Sequence, residues 1–289
     1  MQLLAGMQAV VTGGGRGIGR GIAEMFAAEG AAVAVLARSA RELDETVTTI
    51  ERAGGRARPF AVDVTDARAL TDVLQAVGAV DILVNNAGTA GRFGPVSELD
   101  PDEWWRTMDV NVRGPLIAMR AVLPGMIERR RGRVINVSTG MAPMTYFSSY
   151  LSSKAALVRL TECVALEVKP YGVTAFSMAP GTVRTSMSEH ALQSDEGKKW
   201  LPWFRRIFDE GLDVPVERPA RLAATLASGK ADALTGRYLT PFDDLDLLLS
   251  NVAEVERDAL YSLRVRAHPN AKAHPIAAIR DAATRPLDA

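Results

Sequence analysis

The sequence predicts one α/β domain in which buried strands alternate with amphipathic helices. Three observations carry that reading. Apolar runs and helical periods follow one another in a repeating βα order along most of the 289 residues. A glycine-rich turn, Gly13-Gly14-Gly15-Arg16-Gly17-Ile18-Gly19, joins the first apolar run to the first helix. Val80-Asp81-Ile82-Leu83-Val84 reads as an apolar run broken only by Asp81, the pattern of a strand covered on both faces. One domain of this length can bury a substantial core.

Met7 to Thr12 is the first predicted strand, and the helix after the glycine turn reaches about Glu29. Strand, glycine turn and helix form the arrangement that binds a dinucleotide pyrophosphate. The glycines let the backbone approach the phosphates, whose charge meets unpaired N–H groups and the positive end of the helix dipole. The spacing from Thr12 is T-G-x-x-x-G-x-G, which makes Gly13, Gly15, Arg16, Gly17, Ile18 and Gly19 candidate cofactor contacts. The second strand, Ala32 to Ala37, runs into Arg38-Ser39, where an NAD-preferring protein would place a carboxylate for the adenosine ribose. No acid stands there, and Arg38 with Arg16 suits a 2′-phosphate. The expected cofactor is therefore NADP(H) rather than NAD(H).

A helix from Ala40 to Ala53 stops at Gly54-Gly55, and a third strand, Arg58 to Val62, ends at Asp63-Val64. Asp63 suits either the adenine edge or a helix start. Another helix, Asp66 to Val77, leads to the Val80 to Val84 strand and then to Asn85-Asn86-Ala87-Gly88, small and amide residues that fit a backbone passing close to a cofactor. Asp100-Pro101-Asp102-Glu103 is a helix start with Asp100 as N-cap. Asn111, further along, is an amide among apolar residues and needs buried partners; it is expected to hold a kink and a water chain toward Lys154.

Val134 to Val137 reads as a buried strand, and Ser138 or Thr139 at its end offers a hydroxyl for a substrate carbonyl. Tyr150 and Lys154 lie four residues apart on a helix continuing to Lys169, so both project from one face. A fixed cation beside a phenol favours the phenolate and fits Tyr150 for general acid–base work. The chain then reads as a strand (Val173 to Met178), a helix (Ala220 to Ala227), a last strand (Thr235 to Thr240), a helix from Asp243 to Arg266 and an Ala- and Pro-rich tail from His268.

Lys plus Arg equals Asp plus Glu at 34 each, so no global field suggests nucleic acid or an anionic membrane as partner. The single cysteine, Cys163, excludes an intrachain disulfide and is expected to pack in the core. With no signal-peptide pattern and no long apolar span, a cytoplasmic location is expected. His190, His268 and His274 show no ligand spacing, so no metal is assigned.

Order and spacing together resemble the short-chain dehydrogenase/reductase family over about Leu4 to Leu239. The residues that carry the resemblance are the Thr12 to Gly19 turn, Asp63-Val64, Asn85 to Gly88, Asn111, Val134 to Thr139, Tyr150 with Lys154, and Pro180-Gly181-Thr182-Val183-Arg184-Thr185. The resemblance implies a single-domain Rossmann fold, a seven-stranded parallel doubly wound sheet with helices on both faces and a helical lid. Residues 1–242 would form the cofactor-binding and catalytic domain, with a C-terminal helix and tail, 243–289, packed on it. It further implies that Tyr150 exchanges a proton with the substrate oxygen while hydride moves, that Lys154 lowers the phenol pKa and binds the nicotinamide ribose, and that Asn111 supports a proton relay. Val64, Asn85, Ala87, Gly88, Pro180, Gly181, Val183 and Thr185 join the cofactor contacts on the same ground.

Aligning strands puts the family's catalytic serine at Thr139, whereas counting back from Tyr150 puts it nearer Ser138; strand register favours Thr139. Ser186 to Gly211 has no place in the sheet and is the expected lid, with Trp200, Trp203, Phe204 and Phe208 as an aromatic stripe. Phe93, Met141, Met144 and Tyr146 are candidates for the opposite wall, implying a bulky, largely apolar ketone or alcohol. The resemblance also implies a homodimer or homotetramer. The expected reaction is NADP(H)-dependent interconversion of a ketone and a secondary alcohol; the alternative is a non-redox step, such as a cyclisation or dehydration, on the same scaffold.

Overall fold

In the computed structural model, residues 2–265 are described, so the tail from His268 lies outside the described residues. The first half runs β1 (Gln8–Thr12), α1 (Gly17–Ala28), β2 (Ala32–Ala37), α2 (Ala40–Arg52), β3 (Arg56–Ala61), α3 (Ala67–Val77) and β4 (Ile82–Asn85). There follow α4 (Pro101–Met108), a π turn (Asp109–Arg113), α5 (Gly114–Glu128), β5 (Gly132–Val137), α6 (Ser148–Val168) and β6 (Val173–Met178). The remainder comprises α7 (Ser186–Gln193), α8 (Asp195–Trp200), α9 (Arg205–Asp209), α10 (Glu217–Ala227), β7 (Tyr238–Leu239), α11 (Leu245–Ser250) and α12 (Val252–Arg257).

All seven strands are parallel, in the order β3-β2-β1-β4-β5-β6-β7. After β3 the chain returns to the other side of β1, so connections leave the adjacent ends of β1 and β4 in opposite directions. That divergence opens a crevice at the C-terminal edge of the sheet.

Strand parity builds the two layers. Ala9, Val11, Ile82, Val84, Ile135, Val137, Phe176 and Met178 join one core cluster with Ile22 and Phe26 of α1, Leu43 of α2 and Leu226 of α10. The alternate residues Val10, Leu83, Val134 and Ala175 join the other, with Leu70 of α3, Met119 and Met126 of α5, and Val168 of α6. The central strands are largely apolar because both their faces are covered, whereas the edge strand β3 is mostly exposed.

Helix starts follow their capping chemistry. Asp66 Oδ1 accepts from Arg68 N at 3.1 Å and Ala69 N at 3.0 Å, and Asp100 Oδ1 accepts from Asp102 N and Glu103 N at 2.9 Å each. Two expectations change. The single helix expected from Asp243 is two short ones, α11 and α12, interrupted at Asn251, whose backbone leaves the helical region (φ −126°). Cys163 is exposed, because α6 turns that face outward.

Candidate active site

The site is built from the ends of β1 and β4. Thr12 Oγ1 donates to Val84 O at 3.3 Å and accepts from Asn86 N at 3.0 Å and Ala87 N at 3.1 Å. Asn86 Nδ2 returns across the gap, donating to Thr12 O at 3.0 Å and Gly13 O at 3.2 Å. The glycine turn and the N-N-A-G turn are thereby held as one unit. Gly19 sits under this clamp, where an added Cβ would lie 2.3 Å from both Asn86 Nδ2 and Gly13 O. Gly19→Val is accordingly expected to destabilise the fold by about 1–3 kcal/mol through overpacking. Thermal unfolding checks this; a variant as stable as the wild type would show that the close approach is not needed.

Above the clamp lies a cavity of about 960 Å³. Gly13, Gly15, Arg16, Gly17 and Ile18 line it, and α1 begins there with neither a side-chain cap nor an acid in its first turn. Its first N–H groups are left for an anion. Toward one end stand Arg38, Ser39, Asp63 and Val64. Here the structure adds what the Ala37-Arg38-Ser39 stretch lacks: Arg16 Nη1 pairs with Glu42 at 3.1 Å and Arg38 Nη1 with Asp63 at 3.8 Å. Burial raises the Asp63 carboxyl, but two hydrogen bonds from Thr65 and the Arg38 charge outweigh it, and its pKa falls below the ordinary value.

Ala87, Gly88, Ser138, Tyr150, Lys154, Pro180 and Thr185 also line the cavity. Lys154 is only 4 % exposed, and its Nζ donates to Val137 O at 2.7 Å. Desolvation lowers its pKa to about 8. Burial pushes the Tyr150 phenol up, partly offset by a hydrogen bond with the Thr139 hydroxyl. The sequence led us to expect the opposite sign. Lys154 Nζ is directed at the β5 carbonyl and stands 5.8 Å from the Tyr150 ring centre, while Phe147 stacks on that ring at 4.6 Å and 13°. Burial thus shifts the phenol toward its protonated form. Ser138 lines the cavity with its Oγ 3.4 Å from Lys154 O, and Thr139 is the hydroxyl that partly offsets the Tyr150 shift.

Other expected contacts lie behind the wall. Asn85 is a correction: its Nδ2 donates to Asn136 Oδ1 at 2.8 Å inside the core, on the same strand face as Leu83, and Asn86 is the amide that reaches the cavity. Strand parity was the signal that separates the two. Asn111 is fully buried in the π turn, its Oδ1 accepting from Thr89 N and its Nδ2 donating to Thr89 O and Ser153 Oγ, each at 2.9 Å. It secures the 86–91 loop from below. Gly19, Thr139, Gly181 and Val183 likewise fall outside the cavity lining; Gly181 packs toward Val214, and Val183 is buried.

The lid is helical, but its aromatic stripe faces away from the cavity. Trp200 packs on Tyr146 at 4.7 Å, Phe204 joins a cluster with Phe93 and Leu201, and Arg184 lies over Phe208 at 4.4 Å. None of the eight expected aromatic and Met wall residues lines the cavity, whereas Ser186, Met187 and His190 of α7 do. Trp200 and Phe204 spend their apolar surface on the lid's own small core, while Trp203 is exposed. Among the described residues, no three His, Cys, Asp or Glu side chains are grouped to hold a metal, and no helix is long and apolar enough to cross a membrane.

Residues 7–196 match the family described as short chain dehydrogenase. A short chain dehydrogenase of Pseudocercospora fijiensis is 36% identical over 279 residues, covering 91% of this chain and 90% of that one. The 2,3-dihydro-2,3-dihydroxybenzoate dehydrogenase of Bacillus subtilis is 34% identical over 244 residues, 80% of this chain and 93% of its own. A candidate NAD(P) dependent gluconate 5-dehydrogenase from Beutenbergia cavernae, its crystal structure holding NADP at low occupancy, superimposes with a TM-score of 0.75. It is 30% identical and covers 86% of this chain and 100% of that one.

Proposed function

Because the chain belongs to the short chain dehydrogenase family, an oxidoreductase family, we propose that it interconverts a ketone and a secondary alcohol with NADP(H), Tyr150 being the acid or base. The observation that carries the reading is a half-buried Tyr150 and a buried Lys154 in the wall of the same cavity as the glycine turn. The residues suit a dinucleotide: the turn leaves no room for a Cβ at Gly19, and the α1 terminus is uncapped. Gly13, Gly15, Gly17 and Ile18 would hold the pyrophosphate. Arg16 and Arg38 would take a 2′-phosphate in exchange for Glu42 and Asp63, a reading supported by the NADP in the relative from Beutenbergia cavernae.

When bound, the cofactor supplies or accepts the hydride at the substrate carbon. Burial shifts the Tyr150 phenol toward its protonated form, the form that donates to a carbonyl oxygen in reduction; in oxidation the phenolate would take the proton back from the alcohol. Thr139 orients the phenol, Lys154 sets a positive charge at the end of β5 for the ribose and the phenolate, and Asn111 steadies the Thr89 backbone. A substrate with an apolar face would find Ala90, Val110 and Met187 in the lining of the same cavity as Tyr150.

Titrating the protein with NADPH and NADH by fluorescence, then following absorbance decay with a panel of ketones, tests the proposal. Binding without turnover across the panel would sink it. For the cofactor choice, Arg38→Asp is expected to weaken NADPH about tenfold or more and NADH far less, since it replaces a charge-assisted contact with repulsion. An equal loss for both cofactors would place the 2′-phosphate elsewhere.

A further inference from the structure

Tyr238 lies on β7, opposite Ser177 of β6, on the strand face that turns toward α6. Its hydroxyl donates to the main-chain oxygen of Thr139 at 2.9 Å, across 99 residues of sequence. Resting on the proposed reaction, we propose that Tyr238 is a positioning residue, which holds the chain beyond β5 so that the Thr139 hydroxyl stays against Tyr150.

Three features make the link directional. Thr139 lies just past the end of the β5–β6 ladder, whose last pair is Val137 with Met178, so the ladder no longer fixes its backbone. Gly140, next along, meets nothing within 4 Å of an added Cβ, so packing there does not hold the turn. Tyr238 is itself fixed: its N–H donates to Tyr261 O at 2.8 Å, and the following residues return to α6, Leu263 N donating to Glu162 Oε1 at 2.6 Å. Burial, then the neighbouring Asp243 charge, push the Tyr238 phenol to about 12, so it remains a donor throughout the working range. An edge strand therefore carries a rigid arm to the main chain of the residue whose hydroxyl offsets the Tyr150 shift.

The test uses the full-length protein with NADPH and the best ketone of the panel. Tyr238→Phe removes one oxygen and keeps the ring, so the strand and its contact with Tyr261 survive. Expected is a fall in kcat of about three- to tenfold, the value of one hydrogen bond, with the NADPH dissociation constant unchanged within about twofold. In a Thr139→Val background the same change is expected to have almost no effect, because its route to the reaction runs through the Thr139 hydroxyl. Wild-type kcat in Tyr238→Phe, or an equal fall in both backgrounds, overturns the inference while leaving the proposed reaction standing. A wild-type protein that binds NADPH and reduces nothing overturns both.

Discussion

Replacing Tyr150 by Phe is expected to lower turnover by about 10²- to 10⁴-fold, the usual worth of a positioned general acid, with little change in NADPH affinity. The substitution removes one oxygen from a ring that stacks on Phe147 at 4.6 Å, so the packing around it persists. What is lost is the proton for the developing alkoxide and the partner of the Thr139 hydroxyl. Steady-state kinetics with a fluorescence titration separates the two effects. Turnover within about tenfold of wild type would assign the acid to another group.

The second large effect is at Lys154, where activity and stability should move in opposite directions. Lys154→Met is expected to abolish turnover, yet to raise unfolding stability at pH 7. The lysine is 4 % exposed and has one hydrogen bond, to Val137 O, so its charge is poorly compensated. With its pKa down at about 8 against an ordinary 10.5, the charged form is disfavoured in the folded protein relative to the unfolded chain. That penalty is fully present below about 8; between there and 10.5 the unfolded chain binds more protons, and wild-type stability rises with pH. The gain from Met at pH 7 is about 2 kcal/mol, the desolvation penalty less one hydrogen bond, and it should shrink steadily as pH increases. Denaturant melts of both proteins from pH 7 to 10 check this. A less stable Lys154→Met would mean that the ammonium is better solvated than its surroundings imply. Such a trade is expected of a residue kept for chemistry.

How much of this was legible in the sequence depends on the range of each interaction. The bounds of β2 (Ala32–Ala37) and β6 (Val173–Met178) can be read to the residue, because apolar runs ended by turn chemistry are local signals. Asp66 and Asp100 announce their helices by capping N–H groups two and three residues ahead. The C-terminal helix was less legible: the apolar spacing of Leu245, Leu248, Leu249 and Val252 predicts one helix but is blind to the break at Asn251. The lid aromatics mislead for a related reason. Periodicity reports that a face is apolar, and says nothing of whether a cavity or a small core covers it.

Local spacing carries the alternation of strands and helices, the glycine turn at the first strand end and the shared helix face of Tyr150 and Lys154, each a pattern within a few residues. Long-range packing is what pairs Glu42 and Asp63 with the two arginines, turns Asn86 rather than Asn85 to the cavity, and brings the Tyr238 hydroxyl to Thr139 O. It also reversed the sign of the Tyr150 shift. Desolvation sums over every element packed round a group, and a contact between residues 99 apart depends on where the strands bring them, so neither is written in any local pattern.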